Sequence, residues 1–192
     1  MKLHEVAKQL DPHAKIKKWL DKHNIQNYTI RPDGVVDVDG DAILTRRAMS
    51  SIFTLPVQFG IVDGNFDCSE SQLTSLKGCP YHVGRGFNCY GTKITSLEYA
   101  PQYIGSRFVC FETRITSLTG IDKIVKHIGG TVWYNEKSTH ILGLLLIKGI
   151  TRIDIDNGGP IDEIMNKYVG TGDILSAQDE LIDAGFTDQA RL

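Results

Sequence analysis

The sequence lacks a hydrophobic segment long enough to cross a membrane. Its longest apolar stretch, Ile141 to Ile150, is interrupted by Lys148 and by two glycines, whereas a membrane-spanning helix needs about 20 apolar residues. The first 18 residues carry five lysines but no apolar core followed by a cleavage site, so they do not have the pattern of a secretory signal. We therefore expect a cytoplasmic protein without a membrane span.

A strong net charge of either sign is also missing. The chain has 21 lysine and arginine residues against 23 aspartate and glutamate residues, which gives a formal charge of −2. Six lysines lie in residues 1–24 and seven acidic residues lie in residues 160–192, so the two ends differ in sign. Because no broad basic field surrounds such a chain, long-range capture of nucleic acid is disfavoured and a protein is the expected partner.

Proline is scarce, with 6 residues against 19 glycines, and the composition of 41% hydrophobic and 23% charged residues excludes disorder and collagen. A chain of 192 residues predicts one domain with a sizeable core. Within it we expect a helical cap over residues 1–31, a repeat region over residues 32–157 and a second helical cap over residues 158–192. We expect the protein to be a monomer.

One pattern returns every 21 residues. Three copies of Phe-x-Cys, each followed by an apolar residue and Thr-Ser-Leu, begin at Phe66, Phe87 and Phe108. Weaker copies begin at Val36, Val132 and Ile153. A fixed period of this length is typical of solenoids, in which identical turns stack and bury a continuous core. The pattern predicts about six turns.

Alternation within each copy assigns residues to the two faces of a short strand. We expect three buried columns, which consist of Phe66, Phe87, Phe108, Val132 and Ile153; of Cys68, Cys89, Cys110, Tyr134 and Ile155; and of Leu73, Ile94 and Ile115. Helices should cover the ends, one after Asp11 and Pro12 and one from Asp173 to Ala184. The predicted fold is α/β, a short solenoid with a parallel sheet of about six short strands between helical caps.

The repeat resembles leucine-rich repeats of the short bacterial type, with Phe66, Cys68, Leu73 and Leu76 at the apolar positions of that pattern. The match covers residues 34–157. It departs from the family where Ser71, Thr92 and Thr113 replace the buried asparagine ladder.

The phrase Leu73-Thr-Ser-Leu-x-Gly-x-Pro80 and the segment Ser176 to Phe186 are similar to small leucine-rich-repeat proteins of tailed, T-even-like bacteriophages. This resemblance implies a protein that acts in the host cytoplasm on a host protein and inhibits or redirects it. Restraint of a DNA ADP-ribosylating antiviral toxin, by an anti-DarT-type factor, is one form that such a function takes.

No residue pattern specifies catalysis. The six histidines are scattered without a Cys, Ser or Asp partner at a diagnostic spacing, and no C-x-x-C pair is present. We expect the column of Cys68, Cys89 and Cys110 to be reduced core thiols rather than metal ligands. Cys79 falls outside that column, in a loop where the pattern leaves it free to be exposed. The sequence predicts a protein that is not an enzyme and holds no cofactor and no metal.

The residues that alternate with the core columns should point outward together and line the concave face. Aromatic residues of neighbouring turns would then form an apolar centre with a charged rim, an arrangement typical of binding surfaces. The predicted partner-binding residues are Tyr90, Arg107, Val109, Phe111, Trp133, Asp67, Asp154 and Asp156. Two alternatives stay open, namely that the C-terminal segment covers this face and that a shifted register buries Trp133.

Two other functions also stay open at this point. The N-terminal lysines Lys8, Lys15, Lys17, Lys18 and Lys22, with Trp19 nearby, could form a nucleic-acid-binding helix. A structural component of a virion is the other alternative. An enzyme with a leucine-rich recognition module is disfavoured, because residues 158–192 are too few for a catalytic domain.

Overall fold

The structure, a computed structural model, describes residues 11–45, 49, 51–155 and 159–192. Four α-helices are present in these residues, α1 (Ala14–Lys22), α2 (Ile121–Ile124), α3 (Pro160–Tyr168) and α4 (Ile174–Asp183), together with a 3-10 helix over Ile141–Leu146. The strands, in chain order, are β1 (Tyr28–Ile30), β2 (Val36–Val38), β3 (Ala42–Ile43), β4 (Phe59–Val62), β5 (Phe66–Asp67), β6 (His82–Val83), β7 (Phe87–Asn88), β8 (Tyr103–Ile104), β9 (Phe108–Val109), β10 (His127–Ile128), β11 (Thr131–Tyr134) and β12 (Arg152–Ile155). No described helix is of a length and apolarity that would let it cross a bilayer.

The strands form two six-stranded sheets. The first sheet has the order β1-β2-β4-β6-β8-β10, and the second has the order β12-β11-β9-β7-β5-β3. All neighbours are parallel except β1 and β2, which pair antiparallel. The chain is thus a parallel-sheet solenoid of about six turns with helices at its ends, and the predicted fold class is confirmed.

The first sheet was not predicted from the repeat. The weaker copy assigned to Val36 was wrong, because Val36 pairs with Phe59 in the first sheet, whereas Ala42 pairs with Phe66 in the second. Strands β6, β8 and β10 of the first sheet have only two residues each, and only the second of these is buried, as in Val83, Ile104 and Ile128. One apolar residue per strand shows no alternation, so the period-2 signal that reveals the second sheet is absent here.

Stacked side chains in register fill the core between the sheets. Phe66 pairs with Phe87, and Phe87 with Phe108, and all three side chains are fully buried. The ring centroids of Phe66 and Phe87 are 5.7 Å apart with 9° between the planes, and those of Phe87 and Phe108 are also 5.7 Å apart. The three predicted columns are buried throughout, which confirms the strand register.

A column of thiols links successive turns. Cys68 Sγ donates to the carbonyl of Asn88 at 3.4 Å, Cys89 Sγ to Val109 at 3.3 Å and Cys110 Sγ to Trp133 at 3.3 Å. Thr92 and Thr113 act within a turn instead, since each donates to the carbonyl three residues earlier, while Ser71 Oγ has no hydrogen-bond partner within the described residues. In the core of these turns, the side-chain bonds to the carbonyls of the next turn are therefore made by cysteine.

All four cysteines should react slowly with thiol reagents in the native protein. All four are free and buried. The expectation that the loop leaves Cys79 free to be exposed is therefore wrong. Burial raises the pKa of Cys110 to about 12 and holds the pKa of Cys89 well above its usual range, and a protonated thiol is a poor nucleophile. A labelling time course at pH 8, with and without denaturant, measures the difference. Native labelling of two or more thiols at the denatured rate would contradict this packing.

Glycines let successive turns approach closely where the chain passes from the first sheet to the second. A Cβ atom on Gly105 would lie 2.0 Å from the carbonyl oxygen of Gly84, and one on Gly129 would lie 2.3 Å from that of Gly105. Any larger side chain would push the turns apart. This close approach, rather than an unusual φ, explains why glycine recurs at the corner.

Helix α1 closes the first end of the solenoid. Leu20 is fully buried, and Trp19 packs edge-on against Phe59 with ring centroids 6.3 Å apart. The helix begins at Ala14, two residues later than the Asp11-Pro12 pattern indicates. Asp11 still accepts a hydrogen bond from the amide of His13 at 2.9 Å, the bond that an N-cap carboxylate makes to the second residue after it.

We expect the protein to lose stability as the pH falls below about 6.5, the ordinary pKa of histidine. His23 is 6% exposed and neither ring nitrogen has a hydrogen-bond partner within the described residues. Burial, and secondarily the charge of Lys22, lowers its pKa. The unfolded chain therefore binds the proton more readily, so the contribution of neutral His23 is present above the unfolded pKa and is lost as pH falls through the folded one.

Denaturant titrations at pH 7.5 and pH 5.0 test this dependence. The His23→Leu variant, which removes the titrating group and keeps an apolar side chain against Trp19, should show a smaller loss between the two pH values. An equal loss in both proteins would assign the pH dependence to other groups.

Side chains of helix α3 cover the last strand of the second sheet. Asn166 accepts a hydrogen bond from the amide of Ile153 at 2.8 Å and donates to its carbonyl at 2.6 Å. The carboxamide thereby satisfies backbone groups that a further strand would otherwise pair. Helix α4 follows, capped as predicted by Asp173, which accepts from the amide of Ser176 at 3.1 Å.

Candidate protein-binding surface

The outward residues of the second sheet stand in three rows across successive turns. In strand β11, Val132 and Tyr134 are buried while Thr131 and Trp133 are half-buried, so the register that would place Trp133 in the core is excluded. The central row follows the strand pairing and contains Ile43, Asp67, Asn88, Val109, Trp133 and Asp154. We call this surface the outer face of the second sheet.

Trp133 is held in place by a chain of polar contacts to strand β12. Its indole Nε1 donates to Asp154 Oδ2 at 2.6 Å, and Arg152 Nε donates to Asp154 Oδ1 at 2.6 Å. Both carboxylate oxygens therefore have a donor, and the negative charge is neutralised on the surface itself. This arrangement fixes the indole ring in one orientation without removing it from solvent.

Two further rings lie on the neighbouring turns. Tyr90 and Phe111 follow strands β7 and β9, and their ring centroids are 4.6 Å apart at an interplanar angle of 51°. Both side chains are half-buried. Aromatic side chains that are ordered yet partly exposed are the residues that most often anchor protein interfaces.

Val109 is corrected as a contact residue. Its side chain is 4% exposed, although its position in the central row places it on the outward side of strand β9. It lies between Asn88 and Trp133 in the sheet, and bulky neighbours on both sides leave it almost no surface to offer a partner. Val109 therefore packs beneath the exposed side chains of the outer face, and we do not expect it to contact a partner itself.

The predicted acidic rim is engaged within the molecule. Asp67 accepts hydrogen bonds from the amide of Ser69 at 2.9 Å and from Asn88 Nδ2 at 3.2 Å. Asp154 is neutralised by Arg152, as described above. Asp156 lies outside the described residues.

Arg107 differs from these charged groups. Its side chain is exposed and lies across the space above Gly86, with Cγ 3.1 Å and Nε 3.5 Å from the position that a Cβ on that glycine would take. Among the described residues it forms no ion pair. The guanidinium is therefore the unneutralised cation among the predicted site residues that the structure describes.

The C-terminal residues pack elsewhere. The amide of His140 donates to the carbonyl of Asp188 at 3.1 Å, and the amide of Ile141 donates to that of Gln189 at 3.1 Å. These bonds place the end of the chain against the beginning of the 3-10 helix. Within the described residues, these bonds give no support to the alternative that the C-terminal segment covers the outer face of the second sheet.

The N-terminal helix is poorly arranged for nucleic acid. Lys17 is paired with Asp11 at 2.9 Å, and Trp19 packs inward against Phe59 and against His23, whose ring centroid is 4.3 Å away. Trp19 is half-buried, and the part of its ring that packs against Phe59 and His23 is not available to stack on a base. Lys8 lies outside the described residues.

A stack of flat rings lies on the first sheet and was not predicted from the sequence. His82 and Tyr103 stack with centroids 4.5 Å apart and 2° between the planes, and Tyr103 and His127 stack at 4.6 Å and 10°. The sequence does place a ring at the same position of three successive turns. These positions lie in two-residue strands without alternation, so the rings could not be assigned to a strand. Because each ring covers its neighbour, the stack offers edges rather than a flat platform.

The described residues contain no group of three or more His, Cys, Asp or Glu side chains placed to hold a metal ion. Comparison of this chain with family models, with curated proteins and with solved structures finds no match.

Proposed function

We propose that this chain is a non-enzymatic binding module that uses the outer face of the second sheet to bind a protein in the cytoplasm of a bacterial host. The observation that carries this proposal is the set of partly exposed rings of Tyr90, Phe111 and Trp133 on three consecutive turns. Core packing does not require them there, since the inward columns already fill the interior. Rigid aromatic anchors on an ordered sheet favour recognition of a folded or extended protein segment.

An affinity capture with matched variants tests this function. The tagged protein, its Trp133→Ala variant and its Phe53→Ala variant are incubated with bacterial lysate, and the captured proteins are quantified by mass spectrometry. Phe53 is 57% exposed and lies in the loop between β3 and β4, where its carbonyl accepts from the amide of Thr74, so it is a control for the loss of an exposed ring. A partner retained by wild type and Phe53→Ala but lost with Trp133→Ala supports the proposal. Equal capture by all three would move the site elsewhere.

The narrower proposal, which rests on the phage-type repeat phrase, is that the bound protein is an antiviral toxin and that binding inhibits it. Coexpression with a DNA ADP-ribosyltransferase toxin tests it directly. Growth restored by the wild type but not by Trp133→Ala would support inhibition through this surface, and unchanged toxicity would exclude this toxin class as the target.

A further inference from the structure

The charges on the outer face of the second sheet are unequally satisfied. Asp67 is bonded to Ser69 and Asn88, and Asp154 is bonded to Trp133 and Arg152. A cation from a partner would therefore have to compete with bonds that are already made. Of these two carboxylates, only Asp154 is neutralised by a cation among the described residues, whereas Asp67 keeps its charge and is held by neutral donors.

Arg107 is a cation without an ion-pair partner among the described residues, so it can bind an anionic group of a partner. Its guanidinium has five N–H donors in a fixed fork that matches a carboxylate, and no described residue supplies one. Arg152, the other cation in the same row, is occupied by Asp154 at 2.6 Å. A single free guanidinium matches one carboxylate, whereas a phosphate group usually gathers several cationic or amide donors.

The position of Arg107 also defines what lies beside that carboxylate. Arg107 immediately precedes strand β9 and Phe111 follows it by four residues, a separation of roughly 13 Å at about 3.3 Å per residue. A short partner segment can thus reach both the guanidinium and the ring pair of Tyr90 and Phe111. Beyond this point Glu112 is exposed and would repel a second acidic group there.

We propose that the partner segment of this face presents one carboxylate to Arg107 and, about two to four extended residues away, apolar side chains to Trp133, which lies beside Val109, and to the ring pair of Tyr90 and Phe111. This inference rests on the proposed binding function and names the chemistry of its ligand. It requires an acidic group on one side of the apolar anchor and disfavours one on the side of Glu112.

Selection from a random library of twelve-residue displayed peptides tests the proposal without a known partner. The bait proteins are wild type, Arg107→Glu, Arg114→Glu and Trp133→Ala. Arg114 is an exposed cation in a loop beyond the sheet, so its replacement makes the same change in net charge away from Arg107. The thermal midpoint of each variant is measured first, to establish that all baits are folded.

We expect wild type and Arg114→Glu to enrich peptides that carry an Asp or Glu a few residues from an aromatic or aliphatic anchor. The Arg107→Glu variant should bind those peptides ~10-fold more weakly or worse, because a charge-assisted pair is replaced by repulsion. Selection on the Arg107→Glu bait should enrich peptides that carry Lys or Arg at the position of the acidic residue.

Two results would overturn the inference. Acidic peptides bound equally by Arg107→Glu would show that Arg107 does not receive the carboxylate. Peptides that need Trp133 but carry no acidic residue would refute the carboxylate while leaving the binding function intact. Failure of the binding function itself is separate, because no selected peptide would then depend on Trp133.

Discussion

Replacing Phe87 with alanine should lower the free energy of unfolding by about 3–5 kcal/mol, the usual cost of removing a buried phenylalanine ring. Phe87 is fully buried and contacts a ring on each side, with centroids 5.7 Å away in both directions. The cavity would open at the middle of the column, where the stacked backbone turns limit relaxation. Denaturant titration followed by circular dichroism measures the change.

Phe53→Ala is the control for this substitution, because it removes the same ring from a site that is 57% exposed. We expect it to change the free energy of unfolding by less than about 0.5 kcal/mol. Similar effects of the two substitutions would mean that the phenylalanine column does not form the core. A loss below about 1 kcal/mol for Phe87→Ala would have the same meaning.

The second large effect concerns binding rather than stability. Trp133→Ala and Phe111→Ala should each weaken binding of the partner by about 2 kcal/mol or more, which corresponds to roughly 30-fold in affinity. Thermal midpoints should change little, since neither ring lies in the buried columns. Isothermal titration calorimetry on folded variants, with the partner found by affinity capture, separates the two quantities.

Substitutions in helix α1 provide the control for the binding prediction. Lys17→Ala and Lys18→Ala alter exposed side chains of the cap and should leave the affinity unchanged if that helix only closes the solenoid. Unchanged affinity in both aromatic variants would remove the site from the outer face of the second sheet. Loss of affinity through the lysines would instead favour the N-terminal helix.

The sequence was sufficient for most of the second sheet, because β5, β7 and β9 repeat every 21 residues and β11 and β12 keep the same alternation. Phe87 and Cys89 were assigned to the core and Asn88 to the surface, and all three assignments agree with their burial.

Strand β3 was not predicted, since Ala42 lies 24 residues before Phe66 and the upstream copy was assigned to Val36. The first sheet was beyond such reasoning, since Tyr103 and Ile104 form a strand too short to show any period. Short strands are formed by the stacking of turns, which a local pattern does not record.

The site was predictable in its positions but not in its electrostatics. Alternation and period placed Tyr90, Phe111 and Trp133 on one surface, as the structure shows. Which charges remain free depends on side-chain rotamers across different turns. Asp154 is neutralised by its partner two residues away, while none of the described residues forms an ion pair with Arg107, and no spacing in the sequence distinguishes these two outcomes.

Each described turn of the solenoid pairs only with the turns next to it, and this limits how the outer surface can change during evolution. Strand pairing joins β7 only to β5 and β9, so a turn depends on the shapes of two others and on little else. Duplication or loss of a 21-residue block would keep the phenylalanine, thiol and glycine columns continuous while adding or removing one set of outward side chains. The inherited unit of recognition is then a single turn, and new specificity can arise by copying a turn and altering its outward residues alone.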